Sequence, residues 1–293
     1  MTKKRILITG KGSYVGTNFK KWVQQWPDQY EVEELSVRDE YWKEHDFSQY
    51  NAIIHVAAVV HKRELPENEH LYFSVNRDLA ISIAKKAQQD GVRQFLFMSS
   101  MSVYGLEGYI GKDVIINEDT HCNPTSYYGR SKLEAEQSIL KMNSSDFKIS
   151  IIRAPMIYGK DCPGNYARLR KLVMKTPFFP EVENMRSMIF IDNLSEFIRW
   201  LINSTKEGIF FPQNKDLVST KELVYLISCA NNKKILFSKI LSIPINIIGN
   251  KVIVIRKLFG NLQYDLTISL HDEYDYCLSD LEHSVKKIEI DGA

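Results

Sequence analysis

Tyr128 and Lys132 stand four residues apart in a stretch that reads as helix, so their side chains share a face. Of the 15 tyrosines, Tyr128 is the one with a lysine at that spacing. A free phenol titrates at about 10, too high for a base at neutral pH. A neighbouring ammonium favours phenolate and lowers that value. Such a tyrosine can move the proton of a substrate hydroxyl. Ser99 and Ser100 end the apolar run Gln94–Met98, which reads as a buried strand. Ligands of open parallel sheets bind outside the carboxyl ends of the strands, so a serine there can hold a substrate oxygen. Two serines can equally cap the strand.

A second constellation lies near the N-terminus. Gly10, Lys11, Gly12, Ser13, Tyr14, Val15 and Gly16 join an apolar run, Arg5–Thr9, to a helical stretch, Tyr14–Trp26. A dinucleotide diphosphate meets a helix N-terminus at such a junction. Gly10 allows the tight turn and Gly16 the close approach of helix to strand. Ser13 occupies the register where a close-approach glycine is usual, with Gly12 one place earlier. A carboxylate for an adenosine ribose belongs near the end of the second strand, and Glu33 and Glu34 fall too early for it. Ser36 and Arg38 at that strand end suit a 2′-phosphate instead, unless Arg38 is only a solvated surface charge. Asp46, followed by Phe47, reads as a contact to adenine or as a turn aspartate.

These residues need a scaffold. Tyr30–Val37, Ala52–Ala58, Gln94–Met98 and Lys148–Arg153 read as strands, and Ala52–Ala58 is apolar except for His55. Tyr72–Gln89 and Tyr127–Met142 read as the helices between them, the first closed by Gly91. This alternation predicts a parallel sheet with helices on both faces, an α/β fold. The rhythm changes after about Tyr158. Tyr166–Met174 and Asn193–Ile202 read as helices, Ser187–Ile191 and Ile209–Phe211 as strands, and a smaller lobe is expected. The boundary is drawn at 160, with a dinucleotide-binding domain over 1–160 and a substrate lobe over 161–293.

With 293 residues the chain can bury a core without disulfide or metal. A hydrophobic fraction of 44% and a charged fraction of 25% exclude wholesale disorder and coiled coil. A net charge of +2 gives no reason to expect a nucleic-acid partner. Cys122, Cys162, Cys229 and Cys277 form no CxxC pair, so no metal site is expected and the thiols read as buried and reduced. The basic start MTKKRILITG, with only a very short apolar stretch before its glycines, does not read as a signal peptide, and none is expected. Ile240–Ile255, the longest apolar region, is interrupted by Pro244, Asn246, Gly249, Asn250 and Lys251, so no membrane span is expected. It reads as a helix packed in a domain, with a membrane-surface helix as the alternative. The cytoplasm is the expected compartment.

Several segments together resemble one family. They are ITGKGSYVG at 8–16, HVAA at 55–58, SVN at 74–76, SSMSVYG at 99–105, YYGRSK at 127–132, IIRAPMIYG at 151–159, RSMIFIDNL at 186–194 and GNLQYD at 260–265. The sequence resembles the extended short-chain dehydrogenases/reductases, in their nucleotide-sugar epimerase/dehydratase group, from Arg5 to about Asp280. The resemblance implies a Rossmann doubly wound sheet with a smaller C-terminal α/β lobe. It implies NAD or NADP as cofactor and a UDP-linked sugar as substrate. It makes Ser100, Tyr128 and Lys132 the catalytic set. The cofactor cleft would be lined by the 10–16 loop, Ser36, Arg38, Asp46, Phe47, Ala57, Ala58, Asn76, Ser99, Ala154 and Pro155, with Lys132 on the nicotinamide ribose. The substrate would meet Ser100, Met101, Ser102 and Tyr128, with Asn165 and Arg168 at its nucleotide end and Arg186 on the diphosphate. A homodimer is expected, formed by the helices over Tyr72–Gln89 and Tyr127–Met142.

Met101 and Ser102 stand where the family's 4,6-dehydratases carry an Asp-Glu pair, which argues against dehydration. The members that this sequence resembles act at sugar C4 in surface-polysaccharide biosynthesis. The first expectation is NADPH-dependent reduction of a UDP-4-keto-6-deoxy-hexosamine. The close alternative is a 4-epimerase of UDP-glucose or UDP-N-acetylglucosamine with tightly bound NAD. A further alternative is a catalytically silent NAD(P)-binding sensor or scaffold.

Overall fold

The computed structural model describes residues 3–60, 62–269 and 274–290. Met1 and Thr2, the start of the N-terminal stretch read above, lie outside the described residues. In chain order the first elements are β1 (Lys4–Thr9), α1 (Tyr14–Val23), β2 (Tyr30–Leu35), β3 (Ala52–His55), α2 (Glu69–Phe73), α3 (Ala80–Gln89), β4 (Gln94–Ser100), β5 (Ile115–Ile116), α4 (Tyr127–Leu140) and β6 (Lys148–Ala154). There follow β7 (Met156–Tyr158), α5 (Asn165–Lys175), β8 (Phe178–Pro180), β9 (Met188–Phe190), α6 (Ile191–Ser204) and β10 (Gly208–Phe210). The last are α7 (Thr220–Ala230), β11 (Leu236–Ser238), α8 (Lys239–Ile248), α9 (Ile253–Phe259), β12 (Gln263–Tyr264), α10 (Leu266–Ser269) and α11 (Leu281–Glu289).

Contacts divide the chain into two units that interleave along the sequence. The first comprises 1–105, 121–154 and 194–212, the second 106–120, 155–193 and 213–293. The sequence reading drew a single boundary at 160. The chain instead returns to the first unit, because β10 pairs in parallel with β6 and adds the edge strand of its sheet.

That sheet has the strand order β10-β6-β4-β3-β1-β2, with every neighbouring pair parallel. This is a doubly wound, Rossmann-like parallel sheet, as the alternation of strands and helices and the family resemblance together imply, with β2 as its edge strand beside β1. Its central strands are buried on both faces, as the uninterrupted apolar runs of β1, β3 and β4 require. One core cluster packs Leu7, Ile53, Phe95, Phe97 and Ile149 against Ala80, Ile83, Ala84, Ala135 and Ile139 of α3 and α4. The helix read over Tyr72–Gln89 is α2 and α3 joined by a wider π-helical segment, Ser74–Leu79. In that segment Asn76 is fully buried. Its amide accepts from Val59 N at 2.7 Å and donates to Val59 O at 3.1 Å and to Ser131 Oγ at 3.2 Å, pinning the loop after β3 to α4.

The second unit is assembled from short pairs, β7 with β9, β8 with β11 and β5 with β12, and from α5 and α7–α11. Two expectations change. Of the four free cysteines only Cys162 is buried, while Cys229 is exposed, because α7 buries Thr220, Leu223, Val224, Ile227 and Ser228 and turns Cys229 away. The apolar stretch Ile240–Ile255 forms α8 and the start of α9, but most of its large side chains are exposed rather than packed.

Candidate active site

The Tyr128 helix is placed by its first turn. Ser126 caps α4 by accepting from Gly129 N at 3.0 Å. The Glu64 carboxylate takes the amides of Tyr127 at 2.9 Å and Tyr128 at 3.0 Å. An anion on those otherwise unpaired donors suits the positive end of the helix. Gly129 sets the approach, since a Cβ there would lie 2.6 Å from Ser102 O. The helix therefore lies directly against the turn that follows β4.

Ser100 is the last residue of β4, so the strand runs two residues past the predicted Met98. Its hydroxyl accepts from Ser102 N at 3.2 Å, lies 3.1 Å from Ser102 Oγ and is hydrogen-bonded to the Tyr128 phenol. The structure thus brings Ser100 and Tyr128 together as expected. Lys132 is buried below them. Its ammonium donates to Met98 O at 2.7 Å and lies 4.4 Å from the centre of the Phe97 ring.

The electrostatics depart from the simple expectation. Burial pushes the Tyr128 phenol up to about 12, against the lowering effect of the Ser100 hydrogen bond. Burial brings the Lys132 ammonium down to about 7, opposed by the Glu136 carboxylate. Lys132 does not by itself make Tyr128 a base, because burial in low-dielectric surroundings disfavours both charged forms. A further positive charge beside the phenol is needed, and the oxidised nicotinamide ring of a dinucleotide carries one.

Behind this pair is a polar cluster that the sequence did not reveal. Arg153 of β6 donates through Nε and Nη2 to Glu136, at 2.7 Å for the shortest contact, and through Nη1 to Tyr104 Oη at 2.9 Å. Ser99 donates to the same carboxylate. Ser99 is therefore a buried partner of Glu136. His55, also fully buried, lies 2.8 Å from Thr9 Oγ1 through Nδ1 and stacks on Phe97. Burial first, and Lys132 second, bring its pKa down to about 3, so it is neutral at physiological pH.

The glycine loop fits a dinucleotide diphosphate. Gly10 adopts φ +126°, and a Cβ there would lie 2.8 Å from Ala57 N, so Gly10 and Ala57 hold the two strand ends in contact. Ser13 caps α1, accepting from Gly16 N at 3.2 Å, and the first turn of α1, which begins Tyr14-Val15, holds no acidic residue. The helix N-terminus is thus open to an anion.

Glu34 of β2 reaches the glycine loop. Its carboxylate accepts from Gly12 N at 3.2 Å and lies 3.6 Å from Lys20. β2 ends at Leu35, so Glu34 is the residue before the strand's last and its side chain reaches the loop. Arg38 is exposed, with its backbone amide 3.5 Å from Ser36 Oγ. Asp46 is an exposed turn aspartate that accepts from Ser48 N at 2.9 Å, and hydrogen bonds from the Ser48 hydroxyl first and its amide second hold its carboxyl below the usual range. Phe47 is fully buried in the core cluster beneath Lys86, which removes its side chain from the proposed cofactor set. Ala58 is half-buried in the loop after β3, while Ala154, paired with Ser100, and Pro155 are buried.

The remaining substrate residues divide between the units. Met101 is buried and Ser102 half-buried in the turn after β4. Asn165 and Arg168 are exposed on α5 of the second unit. Arg186, in the same unit, is half-buried, and its Nη1 donates to Gly260 O at 2.7 Å and Arg256 O at 3.3 Å. Burial brings its guanidinium down to about 10, and no carboxylate among the described residues opposes that shift.

Residues 6–210 match the model of the NAD dependent epimerase/dehydratase family. The chain is 30% identical over 295 residues to a UDP-glucose 4-epimerase of Vibrio cholerae, covering 90% of this chain and 88% of that protein. It is 25% identical over 249 residues to an N-acetyl-alpha-D-glucosaminyl-diphospho-ditrans,octacis-undecaprenol 4-epimerase of Escherichia coli O157:H7, covering 78% and 73%. Its fold is similar to that of a dTDP-4-dehydrorhamnose reductase from Clostridium acetobutylicum, with a TM-score of 0.72, 19% identity and coverage of 97% and 98%.

Proposed function

The chain belongs to the NAD dependent epimerase/dehydratase family, and we propose that within it the chain is a 4-epimerase of a diphosphate-linked hexose or N-acetylhexosamine. The carrying observation is Glu34 on Gly12 N. A carboxylate on this side of the glycine loop suits the 2′-hydroxyl of NAD and repels a 2′-phosphate. The 4-epimerase names of the two sequence relatives support the same reading. NAD, when bound, supplies the hydride acceptor and donor at sugar C4.

The chain's own residues do the rest. Tyr128 moves the C4 hydroxyl proton, and Ser100, held by Ser102 N, fixes the oxygen. Lys132, anchored on Met98 O, holds the nicotinamide ribose. Glu136 cannot serve as a second acid/base, since Arg153 and Ser99 occupy it. That removes the catalyst a dehydration would need. Arg186 holds the substrate diphosphate, with Asn165 and Arg168 toward its other end. An intact Ser100, Tyr128 and Lys132 set speaks against a silent sensor.

One observation favours a second reading, NADPH-dependent reduction of a 4-keto sugar. Arg38 is exposed at the end of β2 beside Ser36, where a 2′-phosphate would be received. Dinucleotide content separates the two. Denaturing the freshly purified protein should release close to one NAD per chain. Protein that purifies without dinucleotide and binds NADPH in preference to NADH overturns the epimerase reading.

A further inference from the structure

The segment 233–264 contains six cationic residues, Lys233, Lys234, Lys239, Lys251, Arg256 and Lys257, and no carboxylate. Within it, α8 is built inside out. The one residue of α8 that is buried is the small, polar Ser242. Ser242 Oγ donates to Glu181 O at 2.7 Å, and in the turn after the helix Gly249 packs on Ile110 while the Asn250 amide bonds both the N–H and the carbonyl of Ile110. The large aliphatic side chains face outward. Ile240 is 77% exposed and Ile247 71%, with Ile243 between them on the same helical stripe. On α9, Val254 is 71% exposed beside the exposed Ile253. Leu236 and Phe178, partners across β11 and β8 in the same unit, are exposed as well. An amphipathic helix on a protein surface ordinarily turns the opposite face to water, and a concentration of exposed large apolar side chains marks an interaction site.

Charge selects the partner. Lys234, Lys239, Lys251 and Lys257 are exposed in the same segment as the apolar side chains. The acidic groups near it are already paired, Glu107 with Arg256 and Glu181 and Glu183 with Lys221. A symmetric contact between two copies would place both sets of lysines in one interface, and the segment holds no carboxylate to pair them. An interface of aliphatic side chains among lysines is complementary to acyl chains beneath anionic headgroups. No helix among the described residues is long and apolar enough to cross a membrane, so the fit is to the bilayer surface. We propose that the exposed face of α8 and α9 docks the protein on a bilayer bearing anionic lipids. This surface is independent of which sugar reaction the first unit supports.

The test is flotation of the full-length protein with vesicles of phosphatidylglycerol and phosphatidylcholine, against phosphatidylcholine alone. The protein should float with the anionic vesicles and be released by high salt, which screens the lysines. Ile247→Asp with Val254→Asp should lower partitioning at least about ten-fold. Lys239→Gln, Lys251→Gln and Lys257→Gln should each lower it roughly five-fold. Circular dichroism and thermal midpoint should match the parent in every variant, so lost flotation is not lost folding. Absence of flotation, or flotation that these changes leave untouched, overturns the proposal. A dimer by light scattering that Ile247→Asp dissociates, without vesicle binding, assigns the face to a second copy and also overturns it. Flotation requires no turnover, so its failure is separate from failure of the epimerase reading.

Discussion

Replacing Glu136 by Gln removes one partner of an ion pair whose side chains are 1% exposed for Glu136 and 9% for Arg153. The shape is kept, but the Arg153 cation loses its counter-charge in a site that water does not reach. Breaking a buried pair from one side typically costs about 3–5 kcal/mol. Because a kilocalorie shifts a chain of this size by a few degrees, the thermal midpoint should fall by about 10 °C. Removing both charges, as Glu136→Gln with Arg153→Met, should recover most of the loss, since the penalty arises from the stranded cation. The catalytic readout is separate. The Glu136 charge raises both the Tyr128 phenol and the Lys132 ammonium. Its removal lowers both, and the acid limb of the rate profile should move to lower pH. Thermal unfolding followed by circular dichroism, and turnover against pH, measure the two effects. A single variant that loses under about 1 kcal/mol, or a double variant less stable than the single one, would refute the assignment of a buried pair. An unmoved acid limb would show that Glu136 does not act on the catalytic groups.

Two further outcomes follow from the same site. Tyr128→Phe should lower turnover about 10²–10⁴-fold while leaving dinucleotide binding intact, and a near-normal rate would exclude Tyr128 as the proton carrier. Lys132 binds fewer protons folded, at about 7, than unfolded, near 10.5, so its destabilising effect is fullest below about pH 7 and fades as pH rises toward 10.5. Lys132→Met should therefore be more stable than the parent at pH 6.5 by a margin that shrinks toward alkaline pH, as measured by urea unfolding across that range.

What the sequence made legible was local. The strand, glycine loop and helix over 4–23 are contiguous, and the Tyr128–Lys132 spacing is a property of one helix. Ser100 could be placed because a strand end is marked by the change from apolar to polar residues. Glu136 and Arg153 could not, since their pairing joins a helix to a strand across the sheet. An arginine inside the apolar run of β6 and a carboxylate one turn beyond Lys132 were the available signals. Glu34 reads as too early because the alternating pattern runs on to Val37, whereas β2 ends at Leu35 and leaves Glu34 beside the strand end, within reach of Gly12 N. The interleaved units were hidden because β10 joins its sheet by pairing with a strand more than fifty residues earlier in the chain. The exposed face of α8 was misread as packed because hydrophobicity alone does not say which side of a helix finds a partner.

The central claim is that the protein takes hydride from sugar C4 and returns it to the same carbon. The direct measurement is incubation with a UDP-hexose or UDP-N-acetylhexosamine carrying deuterium at C4, without added dinucleotide, followed by nuclear magnetic resonance of the product. The account predicts the C4 epimer with its deuterium retained. A product that forms only from a 4-keto sugar with added NADPH, and bears that cofactor's hydrogen at C4, would contradict it.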